Sequence, residues 1–232
     1  MNNISIIPIN NLPEFEPKHD LADEIVKSFS SNNFVLEDKD IIVITQKIVS
    51  KVEDRLIKND NESIEKLIQQ ESLEILRKRG DTVIARTKHG FICANAGIDK
   101  SNIEKGLVLL LPEDPDKTSR DIRKKIEHVT NKKISIIISD TFGRAWRKGQ
   151  TNVAIGSSGI QPLESYIGEK DAFDNELFAT EIAIIDELAG AAELVMKKSD
   201  NIPVAIIRGV NYKYSDLGVK ELIRKEDEDF FL

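Results

Sequence analysis

The sequence predicts a mixed α/β protein, and three observations carry that reading. Short β-branched runs recur along the chain, stretches with apolar residues at helical spacing separate them, and 232 residues are enough to bury a full core. In chain order, "ISIIPI" (4–9) reads as the first strand and "LADEIVKSFSS" (21–31) as the first helix. "DIIVIT" (40–45) is a continuous apolar run, the mark of a strand buried on both faces. "ESIEKLIQQESLEILRKR" (62–79) has the spacing of a second helix, and "DTVIAR" (81–86) and "LVLLLP" (107–112) are further strands. In "SRDIRKKIEHVTNK" (119–132) the apolar positions Ile122, Ile126 and Val129 share one helical face, with Ser119 or Thr118 as cap and the basic residues solvated. "KISIIISD" (133–140) is another buried strand, stopping at an acid. Residues 143–175 are the most loop-like region, because Gly143, Gly149, Gly156, Gly159 and Gly168 fall there. From Glu176 to Lys198 the pattern is apolar and alanine-rich, which predicts a long helix packed into a core or against another subunit, and "PVAIIRG" (203–209) is the last strand.

Composition removes several classes of function. The net charge is −7 with both signs mixed throughout, which argues against nucleic acid as a partner, because that activity needs a concentrated basic face. Cys93 is the only cysteine, so neither an intrachain disulfide nor a zinc framework is available, and a reducing, cytoplasmic setting fits. The start "MNNISIIPINNLPEFEP" has no basic leader, and no segment reaches the roughly 20 apolar residues that span a bilayer, so no membrane association is expected. The whole of 1–232 reads as a single unit, one large domain or two small subdomains sharing a sheet.

Four polar clusters follow strands or precede helices, where rigid strand ends and exposed backbone donors favour a ligand site: "TQKIVSKVEDR", "CANAGIDKSN", "SDTFGRAWRKGQ" and "IRGVNYKY". Asp99 and Asp140 are hard oxygen ligands suited to magnesium or manganese, and Thr141 adds a hydroxyl. Lys47, Lys51, Arg144, Arg147 and Arg208 can neutralise phosphates or carboxylates. The glycines of "NAGID" and "TFGRAWRKGQ" would let backbone amides approach an anion, although neither stretch is a P-loop. His19, His89 and His128 are scattered without ligand spacing, and Cys93 reads as a small buried strand residue. These residues point to a divalent-metal and anion site built from separated loops, with phosphoryl transfer as its natural chemistry.

Taken together, "ITQKIVSKVEDR", "ICANAGIDKSN", "LLPEDPDKTSRDIR", "SDTFGRAWRKGQTNVAIGSSGI" and "DELAGAAELVM…PVAIIRG" resemble, in order and spacing, the coenzyme F420-0:L-glutamate ligase (F420 gamma-glutamyl ligase) family. The resemblance runs from about residue 3 to residue 228. It implies a mixed α/β fold forming an intertwined homodimer, and an enzyme that uses GTP to join L-glutamate to the lactyl carboxylate of F420-0, then adds further gamma-linked glutamates. The implied path runs through an acyl phosphate on the acceptor. By the same resemblance Asp99 and Asp140 share one divalent ion, manganese or magnesium, Thr141 reaches a second, Asn211 adds a ligand to it, and potassium is a further candidate cation. Leu12, Pro13, Glu14 and Phe15, together with Gln46, Lys47, Lys51 and Asn102, would contact GTP, and Gly209, Val210, Asn211 and Tyr212 would complete that site. Asp140, Arg144 and Arg147 are the implied catalytic residues, with Trp146 offering a stacking face for the deazaflavin or guanine ring. Two positions depart from the family pattern: Asp54 stands where members often have Gly, and Ala145 where they often have Pro. The reductase-like domain fused in some relatives is not expected after "KEDEDFFL". The competing readings are a ligase of the same fold for another carboxylate acceptor and a non-catalytic, regulatory GTP- and metal-binding protein.

Overall fold

A computed structural model of the chain describes residues 3–58, 61–101 and 103–230. Its elements are β1 (Ser5–Ile9), α1 (Leu21–Ser31), β2 (Ile41–Thr45), α2 (Gln46–Val52), β3 (Leu56–Lys58), α3 (Asn61–Glu71), β4 (Ser72–Arg79), β5 (Thr82–Thr87), β6 (Ile92–Ala94) and β7 (Leu107–Leu109). They continue with α4 (Pro115–Thr130), β8 (Ser135–Arg144), β9 (Arg147–Ser158), β10 (Glu164–Ser165), β11 (Glu181–Ile182), α5 (Ile184–Met196) and β12 (Val204–Arg208). The mixed α/β class expected from the sequence is what the chain forms.

The core is a five-stranded sheet in the order β1-β12-β2-β8-β9, in which β2 and β8 are parallel and the other neighbours antiparallel. Ile41 to Ile44, Ile136 to Ile138 and Val204 to Ile207 are buried without alternation, so both faces of the central strands are covered. The helices that cover it are α5, together with α1 and α4, which also pack on one another. A second body of chain carries the antiparallel sheet β4-β5-β6 and the pair β3-β7, with a small cluster of Ile68, Val83, Ala85 and Ala96. No helix among the described residues is long and apolar enough to cross a membrane.

Four boundaries differ from the sequence reading. Residues 62–79 divide into α3 and the strand β4, because Gly80 (φ +57) and Asp81 make a two-residue hairpin loop that pairs Arg79 with Thr82. The helix expected from Glu176 starts only at Ile184, since Glu181 and Ile182 are held in a short ladder with Glu164 and Ser165. Asp114, not Ser119 or Thr118, caps α4; its carboxylate accepts from Lys117 N–H at 2.9 Å and Pro115 follows in the first turn. The strand ending in Asp140 does not stop there. It continues to Arg144 and turns at Ala145–Trp146 into β9, so much of the expected loop is a long β-hairpin whose outer half is wet on both faces.

Candidate functional site

The parallel pairing of β2 and β8 sets Thr45, the last residue of β2, beside Ser139 in the middle of β8. From there α2 follows β2 without a loop, and β8 presents Asp140 and Thr141 as burial falls away. β12 runs the other way, so the segment 197–203 that precedes it arrives at that end of β2, where Thr45 N–H donates to the Pro203 carbonyl at 2.9 Å. The turn 12–15 is tied in by Lys18 N–H donating to the Val52 carbonyl at 3.0 Å. Between these segments opens a cavity of about 310 Å³. Leu12, Pro13, Glu14 and Phe15 form one wall, Lys47 and Lys51 of α2 a second, and Met196, Lys197, Lys198, Asn201, Ile202 and Pro203 a third. Four lysines and two glutamates, Glu14 and Glu193, thus face one cavity in a chain of net charge −7, and this excess of positive charge suits a polyanion.

Carboxylates stand beside these cations. Asp99 is fixed by a backbone bridge to Leu109, with N–H to carbonyl distances of 2.9 Å in both directions, and its carboxylate pairs with the Lys47 ammonium. The same ammonium donates to Ser101 Oγ at 3.0 Å. Burial pushes Lys47 down to about 8, against the pull of Asp140, and the nearby Lys198 and Lys51 push in the same direction. Burial pushes Asp140 up to about 6, against the Thr141 backbone N–H and the fields of Lys47 and Lys198. Lys51 pairs with Glu14. Cys93 on β6 is buried, and that burial, with Asp140 adding to it, raises its thiol to about 12, so it is inert as a nucleophile.

The oxygens fit a hard divalent ion. A lysine ammonium rests on Asp99 and another, from Lys198, on Thr141 Oγ1 at 2.5 Å, so both positions already attract a cation. Among the described residues no group of three or more His, Cys, Asp or Glu gathers.

Not every expected site residue meets this cavity. Gln46 is fully buried at the start of α2; its side-chain oxygen accepts from Ser50 Oγ at 2.8 Å, so it braces the wall from within. Gly209, Val210, Asn211 and Tyr212 follow β12 and lie at the opposite end of the strands from the cavity, roughly 20 Å away at ~3.3 Å per residue. There the hydroxyls of Tyr212 and Ser135 are hydrogen-bonded at 2.9 Å, Val210 packs on the core, and Gly209 (φ +92) passes close to the Asn3 carbonyl. Arg208, at the same far end, is committed to Asp40 at 2.6–2.7 Å. Arg144, Trp146 and Arg147 sit at the exposed hairpin tip, with Trp146 at φ +59 and the Arg144 guanidinium bonded to the Lys148 and Gly149 carbonyls. Asn102 lies outside the described residues. Gly97 (φ +74) serves packing: a Cβ there would come within 2.6 Å of Leu111 Cδ1. Asp54 adopts φ +58, a conformation that glycine takes more readily.

Sequence reasoning missed the third wall, residues 196–203, together with Asn152 and Glu193. The Lys197–Lys198 pair just after an apolar helix was the available signal, masked because lysines at helix C-termini are common for electrostatic reasons alone. Asn152 could not be singled out before the hairpin register set it opposite Thr141.

The family description F420-0:Gamma-glutamyl ligase matches residues 10–209 of the chain. A protein of Methanococcus maripaludis (strain C7) named coenzyme F420:L-glutamate ligase is 44% identical over 218 residues, covering 86% of this chain and 88% of that protein. A protein of the same name from Methanocaldococcus jannaschii is 44% identical over 216 residues, covering 85% and 86%. One from Methanothermobacter thermautotrophicus is 38% identical over 248 residues, covering 98% of each.

Proposed function

The chain belongs to the F420-0:gamma-glutamyl ligase family, and we propose that it is a GTP-dependent ligase that joins L-glutamate to the lactyl carboxylate of coenzyme F420-0 and then extends the product by gamma-linked glutamates. The relatives' names support the ligated pair. The observation that carries the nucleotide half is the cavity faced by Lys47, Lys51, Lys197 and Lys198 beside Asp99, Asp140 and Thr141.

A free carboxylate is a poor electrophile, so amide formation requires activation. An acceptor carboxylate oxygen attacks the gamma-phosphorus of GTP, the bond to the beta-bridging oxygen breaks, and GDP leaves. The glutamate nitrogen then attacks the acyl carbon, loses a proton, and phosphate departs. Chemistry of this kind asks the protein mainly for position and charge neutralisation. In this reading the lysines of the cavity neutralise the polyphosphate, and the third wall, 196–203, replaces the loop 209–212 as the segment that closes over it. Asp99 and Asp140 would hold a divalent ion, manganese or magnesium, and Thr141 a second, supplying Lewis acidity at the phosphate oxygens; potassium is a further candidate for the same oxygen-rich edge. Arg144, Arg147 and Trp146 on the projecting hairpin are assigned to the anionic deazaflavin acceptor. Because that hairpin tip stands apart from the cavity, acceptor choice is separable from nucleotide use, and a ligase for another carboxylate is the second reading. A homodimer, as the resemblance implies, is part of the proposal, supported by exposed Phe173 (86%) and Phe178 (77%). Incubation with F420-0, glutamate, GTP and manganese should add glutamyl masses to the acceptor; no mass gain sinks the specific assignment.

A further inference from the structure

One polar cluster beside the cavity is more elaborate than packing requires. Asn152 on β9 stands opposite Thr141 on β8. Its side-chain oxygen accepts the Thr141 hydroxyl at 2.6 Å, while its amide donates to Glu193 at 2.9 Å, which fixes the direction of the amide. The other Glu193 oxygen accepts from the Lys198 ammonium at 2.9 Å. That ammonium also donates to Thr141 Oγ1 at 2.5 Å and to Asn152 Oδ1 at 3.3 Å. With the Thr141 hydrogen committed to Asn152, the lone pairs of its oxygen remain for a cation. Three hard oxygens, one of them charged, surround one ammonium, and this is the kind of partial shell that a divalent ion completes with water and phosphate.

We infer that Lys198 is an internal cation held in the oxygen cage of Thr141, Asn152 and Glu193, that a divalent ion displaces it, and that the displaced ammonium then meets the nucleotide phosphates in the adjoining cavity. The inference rests on reading that cavity as the nucleotide site. Lys198 already lines it, its side chain is 58% exposed, and it follows Lys197, whose φ of +51 ends α5, in a stretch with no strand pairing before Val204. An ammonium and a divalent ion cannot share one cage, because like charges a few ångströms apart repel strongly. Metal therefore expels the ammonium and phosphate captures it, so the two ligands favour the same arrangement of Lys198 and each tightens the other.

The test is manganese binding read from the electron paramagnetic resonance signal of the free ion, with and without a non-hydrolysable GTP analogue. In the wild type the analogue should tighten manganese about tenfold, and manganese should tighten the analogue by the same factor. Lys198→Met should bind manganese about tenfold more tightly without analogue, and its coupling should fall close to one. Adding Glu193→Gln to Lys198→Met should reverse that gain if the ion sits in the cage; a gain that persists would place it at Asp140 alone and overturn the inference. An unchanged isotherm in Lys198→Met, or a coupling that survives it, overturns it as well. Nucleotide and manganese binding without glutamyl transfer would remove the ligase assignment and leave the cage standing, whereas no guanine-nucleotide binding at all would remove both.

Discussion

Asp140 shows what a buried carboxylate costs the fold that holds it. Burial raises it from an ordinary value near 3.8 to about 6, so the folded chain binds its proton more tightly than the unfolded chain does. Between those two values stability falls as pH rises, and above them the full cost is present, because the charged form is the one that burial penalises. Asp140→Asn should therefore stabilise the metal-free protein at pH 7 by about 1–3 kcal/mol, read by urea denaturation, while manganese affinity and turnover drop at least tenfold. A variant that is destabilised, or that binds manganese normally, removes Asp140 from the site. The same residue and Lys47 set the expected pH profile. At limiting manganese, kcat/KM should rise as Asp140 loses its proton near 6 and decline as Lys47 loses its own near 8, giving a bell between those values. A flat profile from 5 to 9 would show that neither group titrates in the free enzyme.

At the scale of elements, the β8–β9 hairpin joins two halves with different surroundings. Its inner half, from Ser135 to Thr141, is locked in the sheet and sets Asp140 in the field of Lys47 and Thr141 against Lys198, two lysines that line the cavity, whereas its tip carries Arg144, Trp146 and Arg147 into solvent. If the tip holds the acceptor as proposed, replacing Arg144 and Arg147 by alanine should raise the acceptor KM by roughly tenfold and leave the GTP KM unchanged, because guanidinium–carboxylate pairs there would act on the acceptor alone. Steady-state kinetics varying one substrate at a time would show this, and a GTP KM that moved in step would place the tip at the nucleotide instead. The same hairpin shows where sequence reading ran out. Ile41–Ile44 and Ile136–Ile138 could be read as strands because burial on both faces leaves an unbroken apolar run. From Phe142 outward neither face is dry, so no alternation was written into the sequence and the continuing strand looked like loop. For α3 and β4 the failure was of the opposite kind: the helical spacing ran on through Leu73 and Leu76, and only the Gly80–Asp81 turn announced a hairpin.

The whole molecule decides which distant segments can act together, and individual motifs could not show this. Lys47, Asp99 and Asp140 were legible as chemistry because hard oxygens and cations are recognisable singly; that 12–15 and 196–203 meet Lys47, while 209–212 does not, depends on the direction of β12. Since β12 is antiparallel to β2, the residues before it reach the carboxyl end of β2 and β8, and the residues after it reach the other end. Ligand-linked stability tests this topology directly. A nucleotide that binds only the folded chain at 100 times its Kd adds about 2.7 kcal/mol, by mass action. For a chain of this size that should raise Tm by about 5–10 °C with manganese and a non-hydrolysable GTP analogue. Lys51→Ala, at the cavity, should lose most of that rise, while Asn211→Ala, at the far edge, should keep it. If Asn211→Ala abolishes the shift and Lys51→Ala does not, the nucleotide lies at the far edge, or is shared there with a second copy of the chain, and the four-lysine cavity serves another ligand.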